Sequence, residues 1–212
     1  MTSSTRSSTT RRVLATLAVG LAALAASGCG SGIDAGAAAV DGDRRVSVSD
    51  VQTATAEVNR IVSQDGQLDQ RTVLSYLITE PYVVAAAAKA GAGVSEDQAR
   101  EIYQQFKRAD AVTGSSTPAP ESVRLVRGIL ALNVLQGRTL AEGDTPVPAA
   151  AGQAAVAEIV AQLEDRDITV NPRYGSFEPV FDLPAQKIFP ITPATDNWLV
   201  PSTERPQPTP SP

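Results

Sequence analysis

The sequence predicts a mostly α fold: five helices and a small β element in one domain over about residues 39–199, a size that suits a single core. Three observations carry this. Five stretches place apolar residues at helical spacing. Two of those stretches open on a hydroxyl residue followed three positions later by an acid or amide, a capping box. Ten of the fifteen prolines lie in the last 41 residues, which forbids a long helix there.

Taken in order, Ala39 to Val46 reads as strand, Asp-Gly turn, strand. Ser47 with Asp50 caps a first helix that carries Val51, Thr55, Val58 and Val62 and ends near Asp65-Gly66. Val73, Leu74, Leu77, Ile78, Val84, Ala85 and Ala88 make one face of a second helix. Pro81 lies inside it. Its missing N–H leaves the Leu77 carbonyl without a partner, so a kink or break is expected. Ala90-Gly91-Ala92-Gly93 supplies the stop. Ser95 with Gln98 caps a third helix, in which Ala99, Ile102, Tyr103 and Phe106 form the apolar stripe. We expect Tyr103 and Phe106 in the core. After a polar loop, a fourth helix covers about 121–137 and a fifth about 150–165, the latter with Ala155, Val156, Ile159, Val160 and Leu163 inward. Ile168-Thr169-Val170 is a strand expected to join the N-terminal hairpin. Five of the nine aromatics (Tyr174, Phe177, Phe181, Phe189, Trp198) sit among the late prolines. That mixture suggests an extended segment lying on a surface, either packed on the helices or offered to a partner. Residues 200–212 lack apolar content and are expected to be disordered.

The first thirty residues read as an address. Arg6, Arg11 and Arg12 precede an apolar run, Val13 to Ala26, of 14 residues. A basic region, a short apolar core and small residues make a secretory signal. The run is shorter than the roughly 20 residues a membrane span needs. Ala26-Ser27-Gly28-Cys29 looks like a bacterial lipobox, although the usual Leu three positions before the Cys is here Ala26. The alternative is a plain signal peptide with an incidental Cys. The lipobox reading makes 1–28 a lipoprotein signal peptide and Cys29 an acylated, palmitate-bearing N-terminus. Residues 29–38, rich in Gly, Ala and Ser, then become a flexible tether. Without the three leader arginines the net charge falls from −5 to −8, so the folded part is expected to stand off anionic lipid. The protein would be extracytoplasmic and lipid-anchored to the cell membrane. The Ala richness and the excess of Arg over Lys fit a GC-rich actinobacterium.

Composition removes much chemistry. There is no His, hence no Ser-His-Asp or Cys-His site and no His-bound metal. One Cys excludes an internal disulfide. An acidic chain is no nucleic-acid binder. Asp41-Gly42-Asp43 lacks the acid at the twelfth position of a calcium loop and reads as a turn. Glu164, Asp165 and Asp167 cluster around Arg166 at the end of the fifth helix and point in different directions, which suits a solvated turn better than an acid/base pair. A Ser–Lys nucleophile would have to use Lys89, Lys107 or Lys187, and no spacing supports it. No catalytic, cofactor or metal site is expected.

The order of signals resembles the N-terminal domain of SurA-type periplasmic chaperones, related in shape to the client-binding region of trigger factor. Ala38-Ala39-Val40-Asp41-Gly42 and Val46-Ser47-Val48-Ser49-Asp50-Val51 resemble its opening of strand, turn, strand and capped helix. Val73-Leu74-Ser75-Tyr76-Leu77-Ile78, then Ala87-Ala88-Lys89-Ala90-Gly91, then Val94-Ser95-Glu96-Asp97-Gln98-Ala99 resemble its second block. Val170-Asn171-Pro172-Arg173-Tyr174-Gly175 resembles the segment that closes the domain in actinobacterial lipoproteins of this group. Pro81 departs from the pattern, and residues 176–212 are too short and Pro-rich for a parvulin isomerase domain. The resemblance implies chaperone-like binding of unfolded or unassembled exported proteins, with no isomerase activity and no cofactor. The alternative is a structural lipoprotein dedicated to one cell-envelope partner.

Overall fold

The computed structural model describes residues 35–62, 66–109, 117–185 and 187–193. The chain divides into two units, Met1–Gly32 and Ile33–Pro212, and all described residues belong to the second. The signal peptide, Cys29, Trp198 and the 200–212 tail lie outside the described residues.

Strand β1 (Ala37–Asp41) is the centre of a three-stranded antiparallel sheet, between β2 (Arg44–Ser47) and β3 (Ile168–Val170). In register, Val40 faces Arg45 on one side and Thr169 on the other. The expected joining of hairpin and late strand is therefore present. One boundary moves. The strand starts inside the expected tether, with Ala37 and Ala38 fully buried. Side chains this small let the backbone lie against the helices. The chain there is tied down by bonds from Asn171 Nδ2 to the Ala37 carbonyl (3.0 Å) and from Asn171 N to the Ala38 carbonyl (2.8 Å).

Helix α1 (Val48–Val58) opens on the expected capping box. Ser47 Oγ accepts from Asp50 N at 3.0 Å, and Asp50 Oδ2 accepts from Ser47 N at 2.9 Å. It stops at Val58, earlier than the spacing predicted. Asn59 then brackets the turn, donating to and accepting from the Leu68 backbone at 2.8 Å each. Helix α2 (Gln70–Lys89) is capped by Asp69. It runs unbroken through Pro81. At its end Gly91, at φ +80, lets Gly91 N reach the Ala88 carbonyl and Ala92 N the Ala87 carbonyl, a Schellman stop.

Helix α3 (Glu96–Ala109) has the Ser95/Gln98 capping box, at 2.9 and 3.1 Å. Ala99 and Tyr103 are buried, but Phe106 is 53% exposed, against expectation. The stripe outruns the surface that covers it between Tyr103 and Phe106. Helix α4 (Pro120–Leu135) starts on a proline at its first turn, where a missing N–H costs nothing. Helix α5 (Ala149–Glu164) follows.

Helix α2 is the hub, packed most extensively on α4 and also against α1, α5 and the sheet. Its Leu74, Leu77 and Ile78 meet Val51, Leu125 and Ile159 in one core. Each such side chain contributes about 1.5–3 kcal/mol by leaving water.

The late segment folds back on itself. Strand β4 (Ser176–Phe177) pairs with β7 (Ile191–Thr192), and β5 (Phe181–Asp182) with β6 (Lys187–Ile188). Tyr174, Phe189 and Ile191 are buried, and Phe177 and Phe181 half-buried, so the segment packs on the helices. Phe189 holds a left-handed φ of 46°. That costly geometry for a bulky residue is maintained by its surroundings. Its ring packs at 5.6 Å from that of Phe181, and its carbonyl accepts from the buried Ser75 Oγ of α2.

Candidate functional site

Two features stand out: a polar girdle around the middle of α2 and an apolar groove along α5.

The girdle begins with Pro81. Lacking an N–H, it frees the Leu77 carbonyl, as the sequence predicts. That carbonyl accepts from Arg44 Nη2 of β2 and Arg124 Nη2 of α4, each at 3.4 Å. Two guanidinium groups thus stand in for one backbone donor, and the helix continues. Arg44 also meets Asp41, at 2.9 Å. Asp41 is buried and takes two further donors, Tyr82 Oη at 2.6 Å and Arg166 Nε at 2.8 Å. Burial alone would raise the Asp41 carboxyl. The hydrogen bonds of Tyr82 and Arg166 and the charges of Arg166 and Arg44 outweigh it and hold the group below the usual Asp range. Tyr82 moves the other way, raised by burial and by donating to Asp41. On the far side, buried Glu80 faces Arg124 at 3.6 Å and Arg127 at 3.4 Å. Every charge here has a partner, so the girdle is a fastening with no vacant charge for a substrate.

The groove is different. It holds about 550 Å³. Its floor is α5, where Gly152, Val156, Val160 and Glu164 recur every four residues and Ala157 and Ala161 lie beside them, so that they share one face. Leu135 and Gln136 at the end of α4 form one wall, and Phe181 and Leu183 of the late hairpin contribute the rest. Leu183 is 46% exposed. The groove exists because α5 is apolar around more than half its circumference. Ile159 and Leu163 face the core, while Val156 and Val160, expected inward, are only half-buried and line the groove.

No family model, no curated protein and no solved structure matches the chain. Any function must be argued from its own residues.

Among the described residues, no three acidic or Cys side chains come together in a way that could hold a metal ion. No described helix is long and apolar enough to cross a membrane. Glu164, Asp165 and Asp167 are exposed and do not converge. Lys89 is held on Glu158 at 2.5 Å, and the same contact lowers the Glu158 carboxyl. Cys29, the one site residue the sequence nominates, lies outside the described residues. The groove itself was missed by periodicity. Its signal was present in α5, whose small and apolar residues fill a second stripe at 149, 152, 156, 157, 160 and 161.

Proposed function

We propose that the chain is a lipid-anchored, extracytoplasmic binding module that takes up short apolar segments of unfolded or unassembled exported proteins, in the manner of a chaperone and without making or breaking bonds. The observation that carries this is the open apolar groove along α5, lined by half-buried Val156 and Val160 and by Leu183. Apolar contact is non-directional and tolerant of sequence, as the handling of many clients requires. The groove is about the size of a small-ligand or peptide site, which limits each engagement to a few side chains. Anchoring through acylated Cys29 would keep the module where exported chains emerge. The SurA-type likeness is carried by the sequence blocks, and the structure adds a mostly helical body of five helices with small antiparallel strands.

The test is suppression of aggregation. The purified full chain should hold an unfolded exported protein in solution near stoichiometric amounts, and Val160→Asp should remove that ability while leaving the circular dichroism unchanged. No suppression at tenfold excess would end the proposal. The second reading, a dedicated envelope partner, draws support from the confined groove, which suits a single inserted segment. A photo-crosslinker at Val156 separates the two: many unfolded clients support the first reading, one dominant folded protein the second.

A further inference from the structure

We infer that the groove selects apolar peptide segments that carry a Lys or Arg at one end. This deepens the proposed function and rests on its reading of the groove as a peptide site. Along α5 the groove runs from Ala149 to Glu164, about 22 Å at the helical rise, the reach of six or seven extended residues. Its lining is uncharged until Glu164, the one charged residue among those that line it. Glu164 is exposed and has no ion pair among the described residues. Two cations beside α5 are already engaged elsewhere, Lys89 on Glu158 and Arg166 on Asp41. Glu164 also sits in the last turn of α5, where the helix presents its partial negative charge. The opposite end of the groove carries neutral Gln136 and Gln153. An apolar segment is therefore accepted along the length, and a cation at one end finds an unpartnered carboxylate. A segment ending in Asp or Glu meets like charge there.

The experiment measures binding of three fluorescent seven-residue Leu/Ala/Val peptides, blocked at both termini and ending in Lys, Gln or Glu, to the purified full chain. The Lys peptide should bind roughly three- to fivefold tighter than the Gln peptide, the range of a solvent-exposed ion pair, and the Glu peptide weaker by a similar factor. In Glu164→Gln the three should fall within about twofold of one another. Half-molar salt should narrow the spread in the unaltered protein while the Gln peptide still binds. If all three bind equally and Val160→Asp abolishes each, the groove is a peptide site blind to charge: this inference falls and the proposed function stands. If none binds, both fall. A Lys preference that persists in Glu164→Gln overturns the assignment to this carboxylate. Binding that appears only after removal of residues 194–212, or only on dilution of a self-associated species, gives the groove to the chain's own tail or to a second copy and likewise overturns it.

Discussion

Gly152→Ala should destabilise the protein, although the same change in an ordinary helix does the opposite. In a helix interior Ala is better than Gly by about 1 kcal/mol. Here a Cβ at Gly152 would sit 2.0 Å from the Leu135 carbonyl oxygen and 3.1 Å from its carbon. A carbon–oxygen approach is ordinarily about 3.3 Å or more, so roughly 1.3 Å must be found. The obstructing atoms are backbone and cannot rotate away, so α5 must lift from the end of α4. Overpacking of this kind costs about 1–3 kcal/mol and sometimes more. At the upper end, less the helical gain, the net loss is about 2 kcal/mol, or about 4–8 °C in Tm for a domain of this size. Thermal and urea unfolding followed by far-ultraviolet circular dichroism measure it. Gly93→Ala is the control: a Cβ there meets only Ala88, at 3.5 Å, and stability should hold or rise slightly. Because Gly152 and Leu135 both line the groove, peptide binding should weaken in Gly152→Ala alone. A Tm equal to or above that of the unaltered protein would refute the packing argument.

Asp41→Ala strips the partner from Arg44, Arg166 and Tyr82 and should cost about 2 kcal/mol, the value of a charged hydrogen-bond set discounted for two half-exposed arginines. Because the folded Asp41 value is depressed, its contribution is complete above the unfolded Asp value of about 3.9 and is lost as pH falls through the folded one; acid titration of stability should show this step, and Asp41→Asn should lack it. Pro81→Ala should raise stability by about 1 kcal/mol, well short of the roughly 3 kcal/mol a helix-interior proline normally costs, because Arg44 and Arg124 already serve the Leu77 carbonyl; urea midpoints decide. Ser75→Ala leaves the Phe189 carbonyl buried without its donor and should cost about 1–3 kcal/mol, with faster hydrogen exchange over residues 174–192 than elsewhere. Cys29→Ala should move the protein from the membrane fraction to the soluble one; retention in the membrane would dismiss the acyl anchor.

Local signals are legible in the sequence wherever one turn of chain contains the whole interaction. The two capping boxes, the Gly91 stop, the Asp-Gly turn and the orphaned Leu77 carbonyl are all of this kind. The rest depends on what lies opposite. Tyr103 and Phe106 share one stripe, yet only the first is covered, because periodicity marks a face without saying where its partner ends. On α5 two apolar stripes compete, and nothing local says that Ile159 takes the core while Val160 takes the groove. Ala37 and Ala38 carry a linker's composition but are buried in a central strand. The pairing of Asp41 with Arg166 spans 125 residues, beyond any spacing rule.

The sheet has a consequence for how this polypeptide comes together in time. Its central strand is the first part described, yet one of that strand's neighbours is Ile168–Val170, and the Ser75 hydroxyl waits for a carbonyl 114 positions downstream. A chain delivered with its amino end leading cannot complete its hydrophobic interior until almost the whole length has arrived. The first strand thus lacks one neighbour, and the Ser75 hydroxyl its acceptor, until the final hairpin has been made.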